Sequence, residues 1–326
     1  FDYRINANGG GASVNYKGEK FDFRIGSDID YSTTIRKNRI DTSSIIDNAL
    51  RWLPSANYTY KFSRTSRISV NYNGSTRQPS INQIQPVRDN SNPTILIKGN
   101  PDLKQSYTQS LSMYYNLWKA LSDVSLWSYA NFRNTFNEIV SNTIIDDARR
   151  SITTYTNVNG GYNGSVGINY NKHLGKNVEG GLGLSGNVNN QISFVDGYRT
   201  AVLSTTISPS IDFSYELEEK LYLNINFRPS FSNSSGGLVA NAGKYYSQSI
   251  GSYFRYNVTK FLEVKSDVNW EYQGAQSSFS QKFSEVLWNA YAMWTVDKAK
   301  NLIIQFSVRD ILNQNKGYVR RVDSFS

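Results

Sequence analysis

The stretch AVLSTTISPSIDFSYEL, residues 201–217, alternates apolar and polar side chains along almost its whole length. The apolar set is Ala201, Leu203, Ile207, Ile211, Phe213, Tyr215 and Leu217, and the polar set is Ser204, Thr206, Ser208, Ser210, Asp212, Ser214 and Glu216. Because successive side chains of a β-strand point to opposite faces, this pattern predicts a strand with one apolar and one polar face.

The same alternation recurs from one end of the chain to the other, in about fourteen runs. They lie near 3–16, 21–35, 51–62, 67–77, 105–118, 123–137, 152–171, 177–194, 199–217, 220–232, 242–258, 260–273, 281–296 and 300–309. Most are longer than the roughly five residues usual for strands of soluble proteins. They are long enough for a tilted membrane strand, which needs about 9–11 residues.

The links between the runs fall into two classes that alternate. Short polar links lie at 16–20, 63–67, 119–123, 172–177, 216–220, 258–261 and 296–300, and longer ones at 36–50, 78–104, 138–151, 233–241 and 274–280. The short link at 195–198 is an exception. Short turns on one side and long loops on the other are typical of an outer-membrane barrel, with turns periplasmic and loops outside.

Composition agrees with this interpretation. The 326 residues have a mean hydropathy of −0.51, which a barrel also gives because polar and apolar faces cancel. The absence of Cys excludes disulfides and thiolate metal sites. The net charge of +9 is spread over turns, loops and polar faces, which predicts solvated charge rather than a nucleic-acid partner. On an outer-membrane protein, we expect some of this charge to face outer-membrane lipid and lipopolysaccharide.

Aromatic residues gather near predicted strand ends, as an interfacial belt requires. They are Tyr58, Tyr60 and Phe62 before one short turn, Tyr114, Tyr115 and Trp118 before another, and Trp288 and Trp294 on a late strand. A soluble sandwich is the alternative, but it rarely sustains so many long strands with a single apolar face.

These features predict an all-β fold: a transmembrane antiparallel up-and-down β-barrel forming a single domain over residues 1–326. A sheet in lipid must close, because each unpaired backbone group costs several kcal/mol there. The first run begins in mid-alternation, and the tail after 300–309 has the character of an outer loop. We therefore expect the barrel to be incomplete at both ends.

The longest link carries the one distinctive signature. Residues 77–106 read RQPSINQIQPVRDNSNPTILIKGNPDLKQS and contain four of the seven prolines: Pro79, Pro86, Pro93 and Pro101. Gly99, Asn100 and Pro101 predict a turn. Arg77 and Arg88 are candidates to pair with Asp89 inside the loop, and a stiff outer loop with no ligand role is the alternative.

This stretch resembles the C-terminal barrel of TonB-dependent receptors, most closely the receptor-like outer-membrane β-barrel proteins of Bacteroidetes. The matching elements are RQPSI at 77–81, Gln85-Pro86, Asp89 to Pro93 and Gly99 to Lys104, with a weaker match in RDILNQN at 309–315. Many relatives continue with Pro-Glu where this chain has Gln105-Ser106, a departure that puts the start of the next strand in doubt.

The resemblance implies a barrel of about 22 strands, of which this chain would be roughly the C-terminal two-thirds. It also implies an N-terminal plug domain and a TonB partner, and it allows a surface lipoprotein or other envelope proteins as partners.

The sequence offers no constellation for covalent chemistry, so we expect neither an enzyme nor a bound cofactor or metal. The single His173 falls in a predicted turn, and the acidic pair Asp146-Asp147 in an outer loop is a weak Ca²⁺ candidate. Asp28 and Asp30 project from one strand, but a glycosidase pair would also need a pocket. The glycines of 180–183 lie inside a strand, so they predict close packing rather than a phosphate loop.

The leading functional hypothesis is an outer-membrane TonB-dependent receptor for energy-coupled uptake of a scarce solute, of siderophore, glycan or peptide class. Candidate ligand contacts are Arg77, Arg88, Arg149, Arg150, Tyr245 and Tyr246. A structural or assembly barrel within an outer-membrane complex is the first alternative, and a passive porin is the second.

Overall fold

The computed structural model describes residues 2–37, 44–85, 88–92, 95–147, 149–236, 243–275, 281–296 and 302–315. The described residues contain eighteen strands assigned to one sheet, one short helix and a 3₁₀ turn at Ala120–Ser122. No helix in these ranges is long and apolar enough to cross a membrane.

The elements follow one another in chain order. They are β1 Asp2–Lys17, β2 Phe21–Lys37, β3 Ser44–Ser63, β4 Ser66–Arg77, α1 Ile81–Ile84, β5 Arg88–Asn92, β6 Ile95–Lys98, β7 Ser106–Lys119, β8 Val124–Phe136, β9 Glu138–Ile145, β10 Ser151–Val158, β11 Gly161–His173, β12 Val178–Val195, β13 Tyr198–Leu217, β14 Leu221–Gly236, β15 Gly243–Asn257, β16 Leu262–Gln273, β17 Phe283–Thr295 and β18 Ile303–Val308.

The alternating runs are confirmed as strands, with corrections in the predicted loops. The run at 152–171 is two strands, β10 and β11, divided where Gly160 adopts a φ of 109°. The predicted loop at 138–151 contains β9, which pairs antiparallel with β10 from Glu138 opposite Val158 to Ile145 opposite Ser151. The predicted loop at 78–104 contains α1, β5 and β6. The segments predicted to be outer loops therefore contain further strands, which the alternation pattern did not identify.

The described chain forms two compact units. Unit one comprises residues 1–115, 129–165 and 188–203, and unit two comprises 116–128, 166–187 and 204–326.

In unit one, β1 to β4 form an antiparallel meander. β2 and β3 stay paired from Phe21 opposite Tyr60 to Lys37 opposite Ser44. The predicted long link at 36–50 was therefore wrong in its bounds, because β3 already begins at Ser44 and β2 extends to Lys37.

In unit two, β14 to β18 form a second antiparallel meander. Hydroxyl pairs join the polar faces of β13 and β14, with Ser204 2.9 Å from Ser234 and Thr206 3.0 Å from Ser232. An ion pair of 3.2 Å between Arg228 and Asp212 continues this row. The polar faces of β13 and β14 are thus held together by hydrogen bonds and an ion pair between side chains.

Burial is inverted relative to a water-soluble protein. Apolar side chains on the strands are exposed, among them Leu50 at 71%, Ile25 at 59% and Trp52 at 59%, whereas Ser32 is fully buried. Soluble proteins rarely expose apolar area on this scale. An apolar face turned outward across successive strands is the face that a bilayer covers.

Aromatic rings cluster near the β3–β4 turn, as the belt prediction expects. Phe62 lies edge-on to Tyr60 at 4.8 Å between ring centroids and to Tyr115 at 6.1 Å. Phe62 is 60% exposed, so its ring is available to the membrane interface.

Candidate functional site: the loop at 78–105 and its cavity

The loop at 78–105 folds into a compact element that begins with a helical turn. The backbone N–H of Ser80 donates to Oε1 of Gln83 at 2.9 Å, and the N–H of Gln83 donates to the carbonyl of Ser80 at 3.0 Å. The side chain of Gln83 thus caps the N–H of Ser80, and the carbonyl of Ser80 accepts the first backbone hydrogen bond of α1, so backbone groups at the start of the helix are satisfied.

The predicted turn at Gly99, Asn100 and Pro101 closes the loop back onto α1. The N–H of Gly99 donates to the carbonyl of Gln85 at 3.0 Å, and the N–H of Asn100 donates to the carbonyl of Gln83 at 2.7 Å. A Cβ on Gly99 would overlap backbone atoms of Gln85. Glycine is required here by close approach of two backbones rather than by an unusual φ.

Three further contacts fasten the loop to β10. β6 pairs in parallel with β10, with Ile95 opposite Ser151 and Ile97 opposite Thr153. Nδ2 of Asn100 donates to the carbonyl of Tyr155 at 2.8 Å.

Asn157 of β10 supplies the third contact through three hydrogen bonds of its side chain. Its Oδ1 accepts from the N–H of Lys104 at 2.8 Å, while its Nδ2 donates to the carbonyl of Lys104 at 2.9 Å and to that of Asn137 at 2.8 Å. The side-chain amide of Asn157 thus binds both the N–H and the carbonyl of Lys104, and it connects Lys104 to the bend between β8 and β9 through Asn137. Sequence reasoning missed Asn157, because nothing local links it to a partner 53 positions away.

The loop also contributes to an apolar core. The buried apolar side chains of the described chain are Ile84, Leu96, Leu103, Val140 and Ile192. All five belong to unit one, and three of them come from the loop. Since burying such a side chain contributes about 1.5–3 kcal/mol, the loop is held by packing as well as by hydrogen bonds.

A cavity of about 370 Å³ opens beside this element within unit one. Its lining residues are Thr34, Asn48, Ala49, Gln78, Pro79, Ile84, Leu103, Lys104, Gln105 and Asn137. Nε2 of Gln78 donates to Oε1 of Gln105 at 3.0 Å across the two ends of the loop. The volume lies within the usual range of small-molecule sites, about 300–1,000 Å³.

Glu138 directly follows the lining residue Asn137. It is the first residue of β9, in the segment that the sequence predicts as an outer loop. Its carboxylate occupies the space that a Cβ on Gly161 would need. Burial raises the pKa of this carboxyl, because desolvation disfavours the charged form.

The predicted ligand contacts are not brought together at this cavity, and none of the six lines it. Arg77 ends β4 and is exposed, Arg149 is exposed in the β9–β10 turn with a φ of 59°, and Arg150 pairs with Asp146 at 2.7 Å. Arg88 lies in β5, and its side chain and that of Asp89 are outside the described residues.

Tyr245 and Tyr246 lie on β15 in unit two. The hydroxyl of Tyr246 donates to Oε1 of Gln248 at 2.5 Å, and its ring centroid is 5.1 Å from that of Phe231. The ligand role of all six residues remains a prediction.

The side chains weighed for catalysis or metal binding form contacts with other residues of the chain. His173 ends β11 instead of lying in the turn, 3.9 Å from Glu179. Asp146 accepts hydrogen bonds from the N–H and Nε of Arg150, both at 2.8 Å. Asp30 lies 3.6 Å from Arg51. No group of three metal-ligating side chains occurs in the described part of the chain.

The strand glycines have the packing role that the sequence predicts. The carboxyls of Asp28 and Asp30 lie where Cβ atoms on Gly11 and Gly9 would be. At Gly181 of β12, Oδ1 of Asn171 on β11 occupies the corresponding space. The glycines thus make room for polar side chains of neighbouring strands.

The second motif, RDILNQN, forms a tight turn docked on β17. The N–H groups of Gln314 and Asn315 donate to the Asp310 carboxylate at 2.9 and 3.1 Å. Oε1 of Gln314 accepts from the N–H of Val286 at 2.9 Å, and Oδ1 of Asn289 accepts from the N–H of Asp310 at 3.0 Å. The motif thus anchors the residues that follow β18 to β17.

Among solved structures, the outer membrane channel DcaP of Acinetobacter baumannii is 10% identical and has a TM-score of 0.42, over 94% of this chain and 97% of that one. A mutant of the ferric enterobactin receptor PfeA of Pseudomonas aeruginosa is 8% identical with a TM-score of 0.29, over 94% of this chain and 64% of that one. The outer membrane transporter YddB of Escherichia coli is 9% identical with a TM-score of 0.32, over 89% and 52%. No curated protein matches the chain.

The alternating strands, their exposed apolar face and the motif-bearing loop agree with a match to a family model. That match runs over residues 1–325, and the chain therefore belongs to the outer membrane protein beta-barrel family.

Proposed function

We propose that this outer-membrane chain belongs to a TonB-dependent receptor that takes up a scarce solute with energy from the inner membrane. The observation that carries the proposal is the loop at 78–105, which contributes three buried apolar side chains to a core and borders a cavity of about 370 Å³. An element fastened in this way is suited to hold a ligand in a fixed geometry, because pre-ordering lowers the entropic cost of binding. The resemblance of its RQPSI and GNPDLK motifs to those of TonB-dependent receptors supports the energy coupling.

Uptake by the full-length protein in its own cells tests the proposal. Deletion of the gene should abolish saturable uptake of one class of labelled solute among ferric siderophores, oligosaccharides and oligopeptides, and the intact gene should restore it. A protonophore should stop that uptake in the restored strain, because coupling depends on the inner-membrane gradient.

Two results would overturn the proposal. Uptake that survives the protonophore, with steady conductance of the purified full-length protein in planar bilayers, would identify a passive porin. Unchanged uptake of all three solute classes, together with loss of other envelope proteins from the outer membrane, would identify an assembly barrel.

A further inference from the structure

We infer that the cavity beside the loop binds the carboxyl-terminal end of a short peptide. This inference names the substrate class of the proposed receptor and therefore rests on the proposed function. It is carried by three features of the cavity: its amide side chains, its single charge and its aliphatic remainder.

Amide groups dominate the polar lining. The bond between Gln78 and Gln105 leaves the carbonyl oxygen of the Gln78 side chain and the amide NH2 of Gln105 without a partner among the described residues, so both can bind a ligand. The side chain of Asn137 forms no hydrogen bond with any described residue, since its two bonds use backbone atoms. Asn48 is different, because its Oδ1 already accepts from Thr33 at 3.0 Å.

The chain itself shows how such amides hold a peptide. Asn157 grips Lys104 by accepting from its N–H and donating to its carbonyl, and Asn100 donates to the carbonyl of Tyr155. A peptide main chain offers the same alternating N–H and carbonyl groups to Gln78, Gln105 and Asn137. An anion, by contrast, would use only the donors among them.

The positive charge of Lys104 determines which end of the peptide binds in the cavity. Lys104 is the only charged residue in the lining, and no described residue forms an ion pair with it. An ammonium in an otherwise neutral site favours one carboxylate, such as a free C-terminus.

Apart from the hydroxyl of Thr34, the rest of the lining is aliphatic: Ala49, Pro79, Ile84 and Leu103. The lining contains no aromatic ring. Small aliphatic peptide side chains suit this surface. A sugar would lack the aromatic platform against which its apolar face commonly stacks.

The test measures binding to the purified full-length protein by calorimetry, with trialanine, trialanine amide and maltose as probes. Trialanine should bind saturably and at least about tenfold more tightly than its amide, because only the free acid presents a carboxylate to Lys104. Maltose should not bind. Equal binding of the acid and the amide, or tighter binding of maltose, would overturn the inference.

Two variants assign the effect to named side chains. Lys104→Gln keeps the backbone atoms that Asn157 holds, and it should weaken trialanine about tenfold while leaving its amide unchanged. Asn137→Gly removes the amide and tolerates the φ of 50° at this position, so it should weaken both peptides. Lys98→Gln is the matched control, because Lys98 is exposed on the same loop and does not line the cavity.

The readouts separate this inference from the proposed function. If trialanine binds as described but cells lacking the gene take up peptides normally, the site stands and the receptor function fails. If another solute is taken up under energy coupling and trialanine does not bind, the receptor stands and the peptide site fails. Trialanine binding that both variants leave unchanged would also refute the site.

Discussion

Substitution of Gly99 by Ala should open the loop at 78–105 without unfolding the strands. Its Cβ would meet three backbone atoms of Gln85, the oxygen, the nitrogen and the carbonyl carbon, all closer than real Cβ contacts allow. Backbone cannot move aside as a flexible side chain does, so the two segments must separate. Such overpacking costs about 1–3 kcal/mol.

The cost falls on the local opening equilibrium, because the hydrogen bonds from Gly99 to Gln85 and from Asn100 to Gln83 close the loop. A factor of ten in an equilibrium corresponds to about 1.4 kcal/mol, so amide exchange in the loop should accelerate about 5- to 150-fold. Hydrogen exchange read by mass spectrometry on peptides from residues 78–105 measures this, with peptides from β14 to β16 as internal references.

Gly10→Ala is the matched control, since no atom lies within 4 Å of a Cβ built at Gly10. It should leave exchange in the loop unchanged. Exchange in the Gly99→Ala loop that equals the wild-type rate would refute the claim that backbone contact with Gln85 requires glycine there.

Three further predictions concern the same regions. Asn157→Ala removes three hydrogen bonds worth about 0.5–1.5 kcal/mol each. Trypsin should therefore cleave after Lys104 faster in this variant than in the wild type or in an Asn57→Ala control. Equal rates would contradict the claim that Asn157 holds the backbone of Lys104. Because burial raises the pKa of Glu138, the buried carboxyl carries no penalty below its usual pKa of 4.5, where it is protonated, and it destabilises the fold as pH rises through the pKa in the folded state. Glu138→Gln should therefore slow exchange around the β8–β9 bend at pH 7 and leave it unchanged at pH 4, once intrinsic exchange rates are corrected for pH; a pH-independent difference would be the contrary result. Ile29→Arg places a charge on the apolar face at a 50% exposed position and should lower stability in bilayers by about 2–4 kcal/mol if the site lies near the midplane, measured by urea titration in liposomes; unchanged stability would argue against lipid contact.

The strands were predictable because alternation is a local property. Each polar residue of 201–217 is two positions from the next on the same face, and β13 covers Tyr198–Leu217. The turn at Gly99 was predictable for the same reason, since Gly, Asn and Pro lie side by side in the chain.

The interior of the loop was not predictable in this way. Asn157 belongs to a stretch that alternates like any other, and its role depends on meeting Lys104 after folding. The cavity likewise assembles Thr34, Gln78 and Asn137 from distant parts of the chain. The charged and aromatic residues chosen as outer-loop and upper-lumen contacts do not line it. The neutral amides that do line it carry no signal in a sequence already rich in Asn.

The central claim, that one face of each long strand meets lipid and the other meets polar surroundings, can be measured directly on β14. The sequence has no Cys, so single cysteines at positions 223–228 can each carry a nitroxide without background labelling. In liposomes, accessibility to oxygen should peak at Leu223, Ile225 and Phe227, and accessibility to a water-soluble nickel complex should peak at Asn224, Asn226 and Arg228. Accessibilities that do not alternate with a period of two, or a nickel complex that reaches both faces equally, would contradict the account.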